Sequence, residues 1–112
     1  MRFTQSLKKN ADFKMVYSQG QSAASRALVL YALRNASGVN RLGISVSKKV
    51  GGSVIRSRVR RLIRESYRLG EGMVVCGYDL VFIAKNSARD ASFQTIQASV
   101  RHLLVKQGVM AP

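Results

Sequence analysis

Arginines stand at positions 56, 58, 60, 61, 64 and 68, and Lys48 and Lys49 come just before them. A guanidinium is permanently charged and offers a planar fork of donors that matches phosphate oxygens and stacks on bases. The chemistry on offer is therefore the grip of a polyanion. The stretch from Ser47 to Arg68, SKKVGGSVIRSRVRRLIRESYR, gathers eight of the nineteen basic residues against a single acid, Glu65, and so carries half of the net charge of +14.

Groups that break bonds are scarce. His102 is the only histidine, set among core positions of a C-terminal helix, where a structural or surface role is the ordinary one. Asp12, Glu65, Glu71, Asp79 and Asp90 are scattered through different segments, and the surrounding Lys/Arg excess opposes the raised pKa a general acid needs. Gly51-Gly52 is followed by no Lys-Ser/Thr pair and has no GxGxxG spacing. Cys76 is alone, which excludes an internal disulfide and a thiolate-rich zinc site. A stand-alone nuclease using Asp79, Asp90 and His102 is the least supported reading.

The elements that position the arginines follow from periodicity. After Gly51-Gly52, Ser53 is a plausible N-cap for the helix VIRSRVRRLIRESYR. At about 100° per residue, Ile55, Val59, Leu62 and Ile63 share one sector, and Arg56, Arg60, Arg61, Arg64 and Arg68 fill the opposite one. Arg58 falls on the far flank beside Glu65. A solvated helix usually intersperses acids; here like charges repel until an anion neutralises them.

Elsewhere, residues 1–9 show no pattern and read as a loose lead-in. Asn10 caps a short helix ending at Gly20, with Phe13, Val16 and Tyr17 on one face. RALVLYALR, residues 26–34, reads as a strand. Residues 41–47 alternate: Leu42, Ile44 and Val46 face a core, and Arg41, Gly43, Ser45 and Ser47 form a small, open face. Residues 69–77 form a glycine-rich loop, YDLVFIA (78–84) a strand buried on both faces, residues 85–90 a polar connection, and residues 91–107 a last helix stopped by Gly108. The chain is thus expected to be a single α+β RNA-binding domain over residues 1–112, a size typical of one domain.

With 46% hydrophobic residues the chain has material for a core, so its charge is mounted on a folded body. A pI near 11.2 favours nucleic acid as partner. A membrane partner is not expected, because the apolar side of the basic helix is needed for the core. The N-terminus lacks a signal peptide's apolar stretch, and a reducing cytoplasm is the expected compartment. Phe13, Tyr17 and Tyr31 are either core residues or stacking platforms for an unpaired strand. A buried Tyr must satisfy its hydroxyl, which favours partly exposed positions for Tyr17 and Tyr31.

The run GISVSKKVGGSVIRSRVRRLIRESYR, residues 43–68, resembles the bacterial ribonuclease P protein subunit, whose pattern is a Ser-Lys-Lys-Val-Gly turn and a helix centred on Arg-Asn-Arg, with Arg-Leu-Ile-Arg after it. LKKNADFKMVYSQG (7–20), RALVLYALR and YDLVFIAKNSA (78–88) resemble that family's first helix, first strand and later strand, in the same order. Ser57 stands where the family has Asn between the arginines, and Gly52 where it commonly has Asn after the turn glycine. The resemblance implies an α/β sandwich like domain 2 of ribosomal protein S5, αβββαβα with a left-handed βαβ crossover. It also implies a role in removing the 5′ leader of precursor tRNA, with catalysis and Mg²⁺ residing in the RNA subunit. By the same resemblance Lys48, Lys49, Arg56, Ser57, Arg58, Arg60, Arg61, Arg64 and Arg68 meet the ribonuclease P RNA, one protein to one RNA, and Phe13, Tyr17 and Tyr31 meet the leader. No DNA partner and no cofactor held by protein side chains are implied. The alternative is a non-catalytic ribosomal or ribosome-assembly RNA-binding protein of similar fold.

Overall fold

The computed structural model describes residues 1–112. Its elements are β1 (Thr4–Ser6), α1 (Asn10–Gln19), β2 (Gln21–Ala24), β3 (Leu28–Arg34), β4 (Asn40–Ser45), α2 (Ser53–Gly70), β5 (Tyr78–Ala84) and α3 (Phe93–Lys106), with 3₁₀ turns at Glu71–Met73 and Asn86–Asp90. The strands form one mixed sheet in the order β1-β4-β5-β3-β2. β4 and β5 are parallel neighbours joined through α2, and β3 runs antiparallel to both β5 and β2. From α1 onward the order is the expected αβββαβα.

Strand alternation divides the sheet into two faces. Leu28, Leu30, Ala32, Leu42, Leu80, Phe82 and Ala84 point to one side, where Val59, Ile63 and Tyr67 of α2 and Ile96, Val100, Leu103 and Leu104 of α3 complete the main core. On the other side Val81 and Leu7 pack beneath Val16 of α1, with Phe13, Tyr31, Leu33 and Ile83 half-buried around them. β5 is covered on both faces, as its nearly continuous apolar run requires. α1 therefore lies across the face that was expected to be small and open. No helix is long and apolar enough to cross a membrane.

The lead-in expectation for residues 1–9 is corrected. Thr4–Ser6 pairs in parallel with Asn40–Leu42 of β4. Three polar residues carry no apolar signal, and distant groups hold them instead. The buried carboxylate of Glu71 accepts the backbone N–H of Arg2 at 2.6 Å, and Thr4 Oγ1 shares a 3.0 Å hydrogen bond with the hydroxyl of buried Tyr67. β2 was missed by residue patterning for the same reason. Gln107, 86 residues further along the chain, donates from Nε2 to Gln21 O at 2.8 Å and to Leu30 O at 2.9 Å.

Helix starts also differ from expectation. Lys9 and Gly52 occupy the N-cap positions of α1 and α2 without side-chain caps, so Asn10 and Ser53 are the first helical residues. α3 is capped by Ser92, whose hydroxyl accepts the N–H of Thr95 at 3.1 Å. β4 stops at Ser45, although Val46 still enters the core. Gly20 ends α1 through close approach: a Cβ there would meet Val16 O at 2.5 Å and Ala32 O at 3.0 Å, where the helix turns directly into β2.

Candidate nucleic-acid interface

α2 buries Val59, Ile63, Ser66 and Tyr67 and turns its arginines outward, as the helical phase demanded. Arg61 and Arg64 are exposed and Arg60 half-buried, and none of the three makes a hydrogen bond or ion pair within the chain. Lys48 and Lys49 are exposed in the turn before the helix, which is pinned by buried Val50 and its N–H bond to Ser47 O at 3.1 Å. Five cations on α2 and the turn before it thus have no partner within the chain.

The remaining arginines of the stretch are engaged. Arg56 Nε donates to Gly51 O at 3.1 Å, which closes the start of the helix. Arg58 reaches across to the 3₁₀ turn before α3, donating from Nη2 to Ala91 O at 3.0 Å and from Nη1 to Arg89 O at 3.4 Å. Arg68 holds Glu65 through two hydrogen bonds, one of them Nε to Oε2 at 3.0 Å, and this lowers the Glu65 pKa. Arg58 therefore does not pair with Glu65. Its reach beyond the helix could not be read from a helical wheel.

Ser57 is exposed on α2 and shares a shallow depression with Ser53, Val54, Arg58 and Arg61. Val54 is 82% exposed there, an apolar side chain standing among charges. Sequence reasoning passed over it because one valine at a helix start looks like ordinary helix composition. Gly52, beside the turn, has open space where a Cβ would project.

On the opposite face the three aromatics come together. The Phe13 and Tyr17 rings lie 6.3 Å apart at 50°, and Tyr17 meets Tyr31 edge-on at 5.2 Å and 76°. Tyr17 is 38% exposed, and Phe13 and Tyr31 are half-buried. Tyr17 and Tyr31 place their hydroxyls without a partner in the chain, as expected of rings at a wet edge. Phe13 sits directly over Gly43: a Cβ on that residue would lie 2.7 Å from ring atoms Cε1 and Cζ. The missing side chain in β4 is what lets the ring settle against the sheet.

One polar network fixes α1 over the sheet. Arg41 donates from Nε and Nη2 to the two oxygens of Asp79 at 2.8 and 2.6 Å, and from Nη1 to Asp12 of α1 at 3.3 Å. Asn35 Nδ2 adds a 2.8 Å bond to Asp79 Oδ1. The hydrogen bond to Asp79 is the main cause of the raised Arg41 pKa. No sequence signal singled out Arg41, since it looked like one more polar residue on the open face.

The nuclease constellation does not assemble. Asp79 is taken by Arg41, Asp90 and His102 are exposed, and no three of His, Cys, Asp and Glu are grouped to hold a metal ion.

The sequence profile of the Ribonuclease P family matches residues 1–108. The chain belongs to that family. It is 44% identical to the ribonuclease P protein component of Alkaliphilus metalliredigens over 111 residues, covering 99% of this chain and 100% of the relative. It is 52% identical to that of Clostridium botulinum over 104 residues, covering 92% and 94%. The fold matches the RNase P protein of Staphylococcus aureus with a TM-score of 0.87 at 39% identity, covering 94% of this chain and 96% of that one. For the Thermotoga maritima protein the TM-score is 0.83 at 26% identity, with 91% and 96% covered. In this chain the arginine helix and the aromatic cleft lie on opposite faces of one sheet.

Proposed function

We propose that the chain is the protein subunit of ribonuclease P, acting in tRNA processing by binding the ribonuclease P RNA and the 5′ leader of precursor tRNA. The observation that carries this reading is the pairing of two surfaces on one rigid sheet: unpartnered cations along α2, and a half-open aromatic cleft under α1. The first suits phosphate-dense, structured RNA, where charge neutralisation dominates affinity. The second suits an unpaired strand, whose bases stack on exposed rings.

In this reading Lys48, Lys49, Arg60, Arg61 and Arg64 supply electrostatic contact, while Arg56, Arg58 and Arg68 hold the shape of the helix and its neighbours as well as adding field. Phe13, Tyr17 and Tyr31 receive the leader. Hydrolysis of the phosphodiester and the Mg²⁺ it uses belong to the RNA subunit, and the protein offers no grouped acids for that ion. One protein serves one RNA, in the cytoplasm.

Reconstitution tests this. The protein is added to a bacterial ribonuclease P RNA and precursor tRNA at low Mg²⁺. A gain in leader cleavage over RNA alone is expected, and no gain overturns the proposal.

A further inference from the structure

β4 offers α1 two contacts side by side. Across the face beneath the helix, Leu33, Asp79 and Arg41 stand abreast on β3, β5 and β4, and Tyr31, Val81 and Gly43 make the next row. Asp12 and Phe13, consecutive in α1, land on the β4 ends of these two rows. Asp12 meets Arg41 at 3.3 Å, and the Phe13 ring occupies the space where a Gly43 side chain would project. One helical turn later Tyr17 closes on Tyr31, at the other end of the second row.

The Arg41 guanidinium is aimed independently of the helix. Nε and Nη2 are fixed on the two oxygens of buried Asp79, and Asn35 Nδ2 steadies Asp79 in turn. A planar fork held along one edge presents its remaining donor, Nη1, in one direction. That donor takes Asp12. No other side chain of α1 bonds to the sheet: the Ser18 hydroxyl turns back to Met15 O within the helix. Beneath α1 only Leu7, Val16 and Val81 are buried, and apolar burial is non-directional, so it holds the helix down more than it fixes its place along the sheet.

We infer that Arg41 is a positioning residue for the aromatic cleft, a role whose substrate rests on the function proposed above: by holding Asp12 it sets α1 so that Phe13 and Tyr17 stand at the spacing from Tyr31 that a leader base enters. Discrimination of precursor from mature tRNA then depends on an ion pair that acts through α1.

Asp12→Asn tests the tie while leaving Arg41 on Asp79. In the holoenzyme reconstituted with ribonuclease P RNA, the ratio of precursor to mature tRNA affinity is expected to fall about twofold to fivefold, since the loss cannot exceed the free energy of a partly exposed ion pair. Affinity for mature tRNA should stay at the wild-type value. Asp12 is also the acid in the first turn of α1, where it favours the helix dipole. Ala11→Asp/Asp12→Asn restores that charge without the tie and should show the same fall; a return to the wild-type ratio would assign Asp12 to the helix terminus and overturn the inference. The placement of the rings is read without RNA. In protein labelled with 3-fluorotyrosine, Asp12→Asn should shift the fluorine resonances of Tyr17 and Tyr31 and leave that of Tyr67, in the main core, where it was. Unmoved Tyr17 and Tyr31 resonances, equal movement of Tyr67, or an unchanged tRNA ratio each overturn the role of Arg41. A wild-type protein that fails to stimulate leader cleavage overturns the proposed function instead, and the fluorine result stands apart from it.

Discussion

Removing Arg41 should destabilise the protein more than any exposed arginine of α2, and the geometry sets the size. The Asp79 side chain is 6% exposed and that of Arg41 31%. In Arg41→Met, Asp79 loses two hydrogen bonds of 2.8 and 2.6 Å and keeps only the one from Asn35. Breaking a fully buried pair from one side costs about 3–5 kcal/mol because the surviving charge is stranded. About a third of the Arg41 side chain is open to water and Asn35 remains, so about 2–3 kcal/mol is the expected cost here. Arg41→Met/Asp79→Asn, which removes the stranded charge, should cost less than the sum of the single variants by about 1–2 kcal/mol. Urea unfolding at fixed ionic strength, followed by far-UV circular dichroism, measures all three. A loss under about 1 kcal/mol in Arg41→Met, or strict additivity in the double variant, would refute the network as the tie that docks α1.

Gly43→Ala puts a methyl 2.7 Å from the Phe13 ring, which has no flexible end to swing aside. A loss of about 1–3 kcal/mol is expected from overpacking, together with weaker discrimination of precursor from mature tRNA and unchanged assembly with the RNA subunit, read by binding assays on the holoenzyme. Glu71 gives a pH prediction. Burial pushes its carboxyl up, but the N–H groups of Arg2 and Phe3, the Thr4 hydroxyl and the N-terminal ammonium outweigh that and leave it below its ordinary value. A depressed carboxylate stabilises the fold above its unfolded pKa, and that contribution is lost as pH falls through the folded value. The protection factors of the Arg2 and Phe3 amides should therefore fall as the solution is acidified through the depressed Glu71 value, and Glu71→Gln should lack that protection already at neutral pH. Slow exchange in that variant at pH 7 would contradict the clamp. Arg58→Ala should lose about 1 kcal/mol of stability with the two carbonyl bonds and lower the salt slope of RNA binding by less than one, whereas Arg61→Ala should lower the slope by about one and melt as wild type.

The parts of this molecule that were legible share one property: pattern and environment agree within a single element. α2 combined an apolar sector, an arginine sector and a glycine stop before it, and the structure buries Val59 and Ile63 as phase required. β4 showed its two faces by alternation, and β5 its double burial by a nearly continuous apolar run. β1 and β2 were illegible because nothing local makes TQS or QSAA a strand. Glu71, Tyr67 and Gln107, dozens of residues away, do so.

The same distinction explains why the site was read only in part. A helical wheel assigns direction from the backbone, so it told which arginines leave the core but not which leave the molecule. Arg56, Arg58 and Arg68 are spent on Gly51, on Arg89 and Ala91, and on Glu65, whereas Arg60, Arg61 and Arg64 keep their donors free. Charge in the sequence counts sources of field, while bonding in the structure counts donors available to a partner. The two differ most in an arginine-rich helix, where any backbone carbonyl within reach of a guanidinium competes with phosphate. Exchanging Arg58 for Lys separates these roles: the ammonium keeps the field but lacks the planar fork that spans two carbonyls. Stability should fall nearly as in Arg58→Ala while the salt slope of RNA binding stays at wild type. Full stability in Arg58→Lys would return that residue to a purely electrostatic role.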